Sequence, residues 1–224
     1  INTNWGYKID YSNGNGFFNT QEELDEYLSH TTYSFGTPGL GDFKYMDLNE
    51  DGVVDEKDQV PLRYTKIPRI TYGFTLGLDY KGIDFTIFFQ GVSKYSHFSG
   101  TTQNVYEWTK EGTYYNYHKR AWTKERYENG EKITYPALHT GDNVNTRAND
   151  FFVFDRSFIR LKNIELGYTL PQRWLRAIGI SKVRVYVSGQ NLWTHSPQVA
   201  DHIDPEQDDP IGYPLTKMMN VGVN

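Results

Sequence analysis

The chain has 224 residues, a formal net charge of -5 and no cysteine. The acidic balance excludes the clustered Lys and Arg of a nucleic-acid-binding protein, and the lack of cysteine excludes disulfides and thiolate metal sites. Aromatic residues make up 16% of the chain and Gly contributes 20 residues, a composition that favours strands and tight turns over helices. We therefore expect an all-β fold.

A short helix is predicted near the start of the chain. Thr20 and Glu23 have the spacing of a capping box, and Leu24, Tyr27 and Leu28 then share one helical face. The first ten residues have neither a basic start nor an apolar run, so no signal peptide is expected there. No stretch approaches the roughly 18 to 20 apolar residues that a membrane-spanning helix needs.

The acidic segment 47–58 has the spacing of an EF-hand-like calcium loop. Oxygen-bearing side chains fall at positions 1, 3, 5, 9 and 12, Gly52 falls at position 6, and a backbone carbonyl serves at position 7. Position 12 is Asp where an EF-hand has Glu, and the shorter carboxylate reaches less easily for bidentate contact. We expect a structural Ca²⁺, with a metal-free acidic turn held by Asx hydrogen bonds as the alternative. The predicted ligands are Asp47, Asn49, Asp51, Val53, Asp55 and Asp58.

Residues 71–80 form the clearest strand of the sequence, because all ten positions fit a two-residue alternation of large apolar with small or polar side chains. Lys81-Gly82 is a two-residue turn signal. Residues 83–90 continue the alternation, with Phe88 as the one mismatch. The two segments are predicted to form a hairpin.

Three further strands are predicted, at residues 158–170, 183–192 and 217–223. In the first of them, the alternation of apolar and polar residues changes phase by one residue near Lys162-Asn163, which indicates a β-bulge. A helical turn is expected around Trp174-Leu175, in the connection to the next strand.

Short and long connections alternate along the chain. Residues 81–82 and 171–182 are short links, whereas residues 1–70, 93–157 and 193–216 are long, polar and rich in turn residues. Outer-membrane barrels are built in this way, with short turns on one side and long loops on the other. The pattern therefore favours an antiparallel transmembrane β-barrel over a soluble Greek-key sandwich.

Strand length agrees with a membrane crossing. Tyr72 and Tyr80 are eight residues apart, or roughly 27 Å along a strand, and a tilt of about 40° projects this to roughly 20 Å, comparable with an apolar band of about 25 Å. Alternation alone fits an apolar face on a soluble core as well. Five strands cannot close a membrane barrel, so we expect the chain to be part of a larger protein.

Two further groups of residues, loop aromatics and late acidic residues, are expected to have structural rather than catalytic roles. Loop aromatics are expected to pack or to contact a partner rather than to bind substrate individually. Acidic residues late in the chain match no established metal site and are expected to be a solvated loop. No HExxH or nucleophile motif is present, so an enzyme is not expected. The aromatics are Tyr95, Phe98, Tyr106, Trp108, Tyr114, Tyr115, Tyr117 and Trp122, and the acidic cluster is Asp201, His202, Asp204, Glu206, Asp208 and Asp209.

Several segments occur in the order and spacing of one known family. They are GDFKYMDLNEDGVVDEKDQ, IPRITYGFTLGLDYKGIDFTIFFQGV, RAWTKE, SFIRLKNIELGYTLPQRWL and VRVYVSGQNLWT. Together they resemble the C-terminal third of SusC/RagA-like TonB-dependent outer-membrane transporters. The upstream segment, WGYKID to GFFNTQEELDEYL, extends the resemblance to nearly all of the chain.

The resemblance implies the C-terminal strands of a 22-stranded barrel whose plug domain and TonB-contacting segment lie upstream of this chain. It places residues 81–82 and 171–182 in the periplasm and the long loops outside the cell. It implies import of an oligosaccharide or peptide across the outer membrane of a Gram-negative, Bacteroidetes-type bacterium, with a SusD-like surface lipoprotein as partner. The family usually ends on an aromatic residue, so a few residues are expected after VGVN.

One alternative stays open at the level of sequence. A secreted carbohydrate-binding β-sandwich with a structural calcium site would also combine alternating strands, aromatic loops and the acidic segment. Such a module would be soluble by itself, whereas a barrel segment would require lipid or detergent.

Overall fold

The computed structural model describes residues 3–98, 116–139, 143–176, 179–197, 204–207 and 215–224. They divide into two compact units. Unit 1 comprises Ile1–Lys66 and His97–Phe154, and unit 2 comprises Ile67–Ser96 and Asp155–Asn224. The expected strand-rich fold is confirmed.

Strands dominate the described residues, and the helices are short. In chain order the strands are β1 (Thr3–Gly6), β2 (Thr32–Tyr33), β3 (Val53–Val54), β4 (Val60–Thr65), β5 (Ile70–Tyr80), β6 (Ile83–Ser93), β7 (Ser96–Phe98), β8 (Val153–Asp155), β9 (Phe158–Thr169), β10 (Arg184–His195) and β11 (Met218–Val223). The α-helices are α1 (Gln21–Leu28), α2 (Lys124–Glu128) and α3 (Gln172–Leu175), and 3-10 turns cover Glu56–Asp58, Asn116–Arg120 and Val144–Thr146. No helix of the described residues has the length and apolar character needed to span a membrane.

Helix α1 begins where the sequence predicts. The Thr20 hydroxyl accepts a hydrogen bond from the Glu23 backbone N–H at 3.2 Å, which satisfies one of the free donors of the first turn. The Glu23 carboxylate in turn accepts from the backbone N–H of Asn19 at 3.0 Å, one residue earlier than in a standard capping box. Leu24 and Tyr27 are buried, so the helix is held by its apolar face.

Unit 1 has an aromatic core of its own. Strand β1 pairs antiparallel with β4, and β2 pairs in parallel with β3. Tyr hydroxyls that reach the core bond to backbone carbonyls, as a buried phenol must: Tyr27 donates to Tyr45 at 2.6 Å, and Tyr33 donates to Phe43 at 2.9 Å. The core residues are Tyr7, Ile9, Phe17, Phe18, Leu24, Tyr27, Tyr33, Phe43, Tyr45, Val54, Ala121, Trp122, Tyr135, Ala137, Val144 and Phe152.

Unit 2 is built on a five-stranded antiparallel sheet. Its order is β5-β6-β9-β10-β11, so each strand lies beside the preceding strand of the sheet in chain order. The β5-β6 turn is tight: Tyr80 pairs with Ile83, and Lys81 and Gly82 both have positive φ, 48° and 86°. Two positive φ values in succession match the twist of a two-residue hairpin.

All five predicted strands of this sheet are found, with ends that differ by at most three residues. The predicted bulge is also present. Phe88 pairs with Asn163 and Phe89 with Leu161, so Lys162 lies opposite no residue of β6. The extra residue restores the apolar side chains of β9 to a single face.

Candidate functional site

One face of the unit 2 sheet, the apolar face, is covered with exposed hydrophobic side chains. A row across all five strands runs through Leu78, Phe85, Leu166, Val187 and Val221. Leu78 is 60% exposed and Val221 is 85% exposed. A soluble protein rarely leaves so continuous an apolar surface open to water. The large exposed residues of this face are Tyr72, Phe74, Leu76, Leu78, Tyr80, Ile83, Leu166, Val185, Val187, Met219, Val221 and Val223.

The opposite face, the polar face, carries small and charged side chains. The neighbouring row runs through Gly77, Thr86, Glu165, Ser188 and Asn220. Because successive residues of a strand point to opposite faces, one sheet thus presents an apolar and a polar surface. This combination suits a wall between an apolar and an aqueous medium.

An ion cluster lies on the polar face near the β5-β6 turn. The Arg184 guanidinium donates from Nε to Asp84 Oδ2 at 3.0 Å and from Nη2 to Glu165 Oε1 at 2.5 Å. The guanidinium also packs directly over Gly167. A Cβ built on this glycine would lie 2.6 Å or less from three guanidinium atoms. Arg184 therefore joins three neighbouring strands through side-chain contacts.

A second ion cluster ties the β10-β11 connection to β9. Arg160, whose side chain is 2% exposed, contacts Asp204 Oδ1 at 2.6 Å and Glu206 Oε2 at 2.7 Å. Lys162 adds a contact to Glu206 at 2.8 Å. The expectation of a solvated acidic loop is therefore wrong for Asp204 and Glu206, because buried and partly buried cations hold both carboxylates. The other members of the predicted acidic cluster lie outside the described residues.

Two of the loop aromatics are accounted for by packing. Tyr95 is 7% exposed and packs near the Arg156 guanidinium, at 6.0 Å from the ring centre. Trp122 is 8% exposed and donates from Nε1 to Asn19 Oδ1 at 3.2 Å. The side chains of Phe98 and Tyr117 and all of Tyr106, Trp108, Tyr114 and Tyr115 fall outside what the structure describes.

The acidic loop of unit 1 is a closed turn held by its own carboxylates. Asp58 is fully buried: Oδ1 accepts from the N–H groups of Leu48 and Asn49, and Oδ2 accepts from Asp55 N–H at 2.9 Å. Asx hydrogen bonds of 2.8 to 3.0 Å join Asn49 to Asp51, Asp51 to Val53 and Asp55 to Lys57. These are the contacts of the metal-free alternative.

Three features of the same loop match the predicted metal geometry. Gly52 at position 6 has φ +84°. The Gly52 and Val54 carbonyls accept hydrogen bonds from the N–H groups of Thr32 and Ser34, so the Val53 carbonyl between them points to the other side of the strand. Asp47 Oδ2 accepts from Gly52 N–H at 2.7 Å, whereas Asp47 Oδ1 is buried without a hydrogen-bond partner. A cation would satisfy that oxygen.

The ammonium group of a lysine lies next to two of the loop carboxylates. Lys57 Nζ lies 3.2 Å from Asp51 Oδ2 and 3.5 Å from Asp55 Oδ2. The hydrogen bond from Lys57 lowers the pKa of the Asp51 carboxyl. Across the described residues, no group of three or more His, Asp or Glu side chains converges as a metal cluster. Bound Ca²⁺ would thus require Asp51 and Asp55 to exchange the ammonium for the metal.

Unit 1 also contains a buried polar junction that the sequence did not indicate. Asp42, which is 3% exposed, accepts from Asn145 Nδ2 at 2.7 Å and from Gly39 N–H at 2.7 Å. His139 Nε2 lies 2.5 Å from Asp42 Oδ1, and this hydrogen bond raises the pKa of His139 against the opposing effect of burial. The junction joins chain segments about a hundred residues apart, which no local pattern reveals.

No family model matches the chain. It is 30% identical over 182 residues to TonB-dependent receptor P26 of Formosa agariphila, and the match covers 79% of this chain and 17% of that receptor. It is also 30% identical over 162 residues to TonB-dependent receptor P3 of the same organism, covering 67% of this chain and 14% of the receptor. The chain thus spans less than a fifth of either relative.

Solved structures share the fold. The RagAB peptide importer in its closed-closed state superimposes with a TM-score of 0.60 at 21% identity, covering 98% of this chain and 22% of that one. The RagAB peptide transporter gives a TM-score of 0.58 at 24% identity, covering 75% of this chain and 18% of that one. These identities establish likeness of fold.

The antiparallel meander and the two receptor matches define the class as a strand-built portion of a TonB-dependent receptor. Within that class, the agreement with the RagAB structures is one of fold. The chain is a segment of a TonB-dependent receptor, so the family predicted from the sequence is confirmed at that level. Its relatives are named as receptors and its structural neighbours as transporters rather than enzymes.

Proposed function

We propose that the unit 2 sheet is a wall segment of a 22-stranded outer-membrane barrel that imports an oligomeric nutrient. The observation that carries the proposal is the apolar face, exposed across five strands on a sheet whose other face is polar. A β-sandwich would bury that face under a second sheet. Lipid would cover the apolar face in the absence of a second sheet.

The length and edges of the sheet support the same proposal. Strands β5 and β6 each have 11 residues, roughly 33 Å at about 3.3 Å per residue, and a tilt of about 40° projects this to roughly 25 Å. Strands β5 and β11 have no outer neighbour among the described residues. An open edge is not stable in lipid, so further strands of the whole protein would pair with both.

The orientation follows from the family resemblance. The turns at residues 81–82 and 171–182 face the periplasm in this proposal, and residues 1–70, 93–157 and 193–216 belong to the extracellular side. There they meet a SusD-like surface lipoprotein and the substrate, while TonB engages the plug-bearing N-terminal part of the whole protein. Two substrate classes fit: peptides, which the RagAB structures are named for, and oligosaccharides.

Fractionation of the full-length protein from its native cells tests the proposal. We expect recovery in the outer-membrane fraction, and pull-down after detergent solubilisation should bring a surface lipoprotein. Uptake of labelled oligopeptides and oligosaccharides by wild-type and deletion strains then separates the two substrate classes. A soluble protein that binds sugar without detergent or partner would refute the barrel and support the secreted sandwich.

We further propose that the acidic loop binds a structural Ca²⁺ through Asp47, Asn49, Asp51, Val53, Asp55 and Asp58. The unpartnered Asp47 Oδ1 and the outward Val53 carbonyl support this. Hard oxygen donors are the ligands that Ca²⁺ prefers. The role is structural, since the loop leads through a 3-10 turn into β4 of unit 1.

Calorimetric titration of the full-length protein with Ca²⁺, and with Mg²⁺ as the control, tests this site. We expect Ca²⁺ binding that Asp47→Asn weakens. Lys57→Gln should tighten it by about twofold, because an exposed ion pair that competes with the metal is worth only a few tenths of a kcal/mol. Absence of Ca²⁺ binding in wild type, or equal binding by the Asp47→Asn variant, would leave the loop as an Asx-bonded turn.

A further inference from the structure

The two short turns of unit 2 lie at the same end of the sheet. The Thr169 N–H at the end of β9 donates to the carbonyl of Gly82 in the β5-β6 turn at 2.7 Å, and Leu170 N–H donates to Val183 at 2.9 Å. The first bond joins the β5-β6 turn to the start of the β9-β10 turn. Side chains from both turns therefore form one surface, which we call the turn surface.

Every charged residue in these two turns is cationic. The segments 81–82 and 171–182 contain Lys81, Arg173, Arg176 and Lys182 and no Asp or Glu. All four side chains are exposed. Lys81, Arg173 and Arg176 have no ion-pair partner within the described residues, and the nearby Asp84 carboxylate is paired with Arg184.

The sequence of the β10-β11 connection has the opposite charge balance. The β10-β11 connection, residues 196–217, contains five Asp or Glu and a single Lys. Two of its carboxylates, Asp204 and Glu206, are held by Arg160 and Lys162. Since the whole chain is acidic at -5, two turns with four cations and no carboxylate are a local departure from its composition.

Two of the cations stack on exposed aromatic rings, that of Tyr80 at the end of the apolar face and that of Trp174 in α3. Lys81 Nζ lies 5.1 Å from the ring centre of Tyr80, and the Arg173 guanidinium lies 5.9 Å from that of Trp174. The rings are 67% and 56% exposed. Aromatic rings favour the boundary between hydrocarbon and headgroups. A stacked cation is thereby held beside that boundary, at the depth of the lipid phosphates.

We propose that the turn surface binds the phosphate groups of anionic phospholipids in the leaflet next to these turns. The inference rests on the proposed barrel, since it requires the apolar face to lie in lipid. Arg173 and Arg176 supply fixed donor geometry for phosphate oxygens, and Lys81 supplies a mobile point charge. Arg184 takes no part, because Asp84 and Glu165 already neutralise it.

Native mass spectrometry of the full-length protein, released from mixed micelles of phosphatidylglycerol and phosphatidylcholine, tests the proposal. We expect wild type to retain phosphatidylglycerol in preference. Each cation removed should lower that preference by about fivefold, the factor for about 1 kcal/mol per surface cation. The variant is Lys81→Gln with Arg173→Gln and Arg176→Gln. The charge-matched control in unit 1 is Lys119→Gln with Lys124→Gln and Lys132→Gln.

Retention of the wild-type preference by the turn variant would overturn the proposal, and would favour a periplasmic protein as the partner of this surface. Equal loss in the unit 1 control would overturn it too, by showing a non-specific charge effect. The charge-conserving variant Lys81→Arg with Arg173→Lys and Arg176→Lys should keep the preference and guards against misfolding. A full-length protein that never enters micelles would refute the barrel itself, which is a separate result.

Discussion

Phe43 in unit 1 and Phe74 in unit 2 are the same residue type in opposite surroundings. Phe43 is fully buried and its ring packs against those of Phe17 and Phe152 at 5.5 and 5.6 Å, whereas Phe74 is 59% exposed. Unit 1 thus buries the aromatic side chains of its core with its own chain. Unit 2 leaves its apolar side chains exposed, and in the proposed barrel they would be covered by lipid.

The largest expected effect comes from truncating the two phenylalanines. Phe43→Ala should destabilise unit 1 by about 3 to 5 kcal/mol, because it deletes a close-packed ring and leaves a cavity. Phe74→Ala, the matched control, should cost less than about 1 kcal/mol in detergent, where the ring has few protein neighbours. Hydrogen exchange of unit 1 amides in the full-length protein measures the first. Similar costs for both variants would contradict the comparison of the units.

The difference between the two faces of β5 can be tested by introducing an arginine on each face. Leu76 lies halfway between Tyr72 and Tyr80 on the apolar face, and Thr75 beside it lies on the polar face. Leu76→Arg should cost about 2 to 4 kcal/mol in lipid, the range for Arg at the bilayer midplane of a barrel. Thr75→Arg should cost much less. Urea unfolding from phospholipid vesicles distinguishes them, and equal costs would place the apolar face outside the membrane.

Unit 2 was largely predictable from the sequence because its signals are local. The two-residue alternation of residues 71–80 fixes which side chains share a face, and Lys81-Gly82 fixes the register of the hairpin. The bulge at Lys162 followed from a single change of parity. The alternation of short and long connections, the strand length and the order of the quoted motifs pointed to the class of protein that the receptor matches show.

Unit 1 was not predictable in the same way, because its contacts join distant segments. Phe43 N–H donates to Asn145 Oδ1 at 2.9 Å across a separation of 102 residues, and no periodic pattern in the sequence predicts this contact. In unit 2 a contact of this kind that the sequence did not indicate is that of Arg160 with Asp204, which spans 44 residues. For the acidic loop, spacing identified the oxygen-bearing residues but not the backbone N–H groups that they already bind. Buried Asp58 is an example, since it closes the capping box of the 3-10 turn.

A smaller effect is expected where the β10-β11 connection meets β9. Asp204→Asn removes the ion pair with Arg160 and weakens the bond to Leu215 N–H, which is 3.1 Å long. The cost should be about 1 to 3 kcal/mol, since a buried cation loses part of its compensation while Glu206 remains. Faster hydrogen exchange of the Leu215 amide measures it. Glu128→Gln, which breaks the exposed pair with Lys124, should change stability by less than about 0.5 kcal/mol.

Apart from the control variants, the smallest predicted effect is a pH dependence confined to unit 1. Because the hydrogen bond to Asp42 raises the pKa of His139 above its usual 6.5, the folded state binds this proton more tightly than the unfolded state does. The stabilisation is complete below pH 6.5 and is lost as the pH rises through the folded-state pKa. The side chain is 34% exposed, so water screens the pair and the gain is about 1 kcal/mol or less.

Hydrogen exchange of the Phe43 amide, measured in the full-length protein between pH 5.5 and 8.5 after correction for intrinsic rates, follows this effect. The Phe43 N–H bonds to Asn145, which also bonds to Asp42, so its protection reports on the junction. Wild type should lose protection as the pH rises, and His139→Gln should abolish that slope while leaving the protection of the unit 2 amides unchanged. A slope that persists in His139→Gln would assign the pH dependence to another group. It would also show that the His139–Asp42 contact does not contribute to the free energy of unfolding.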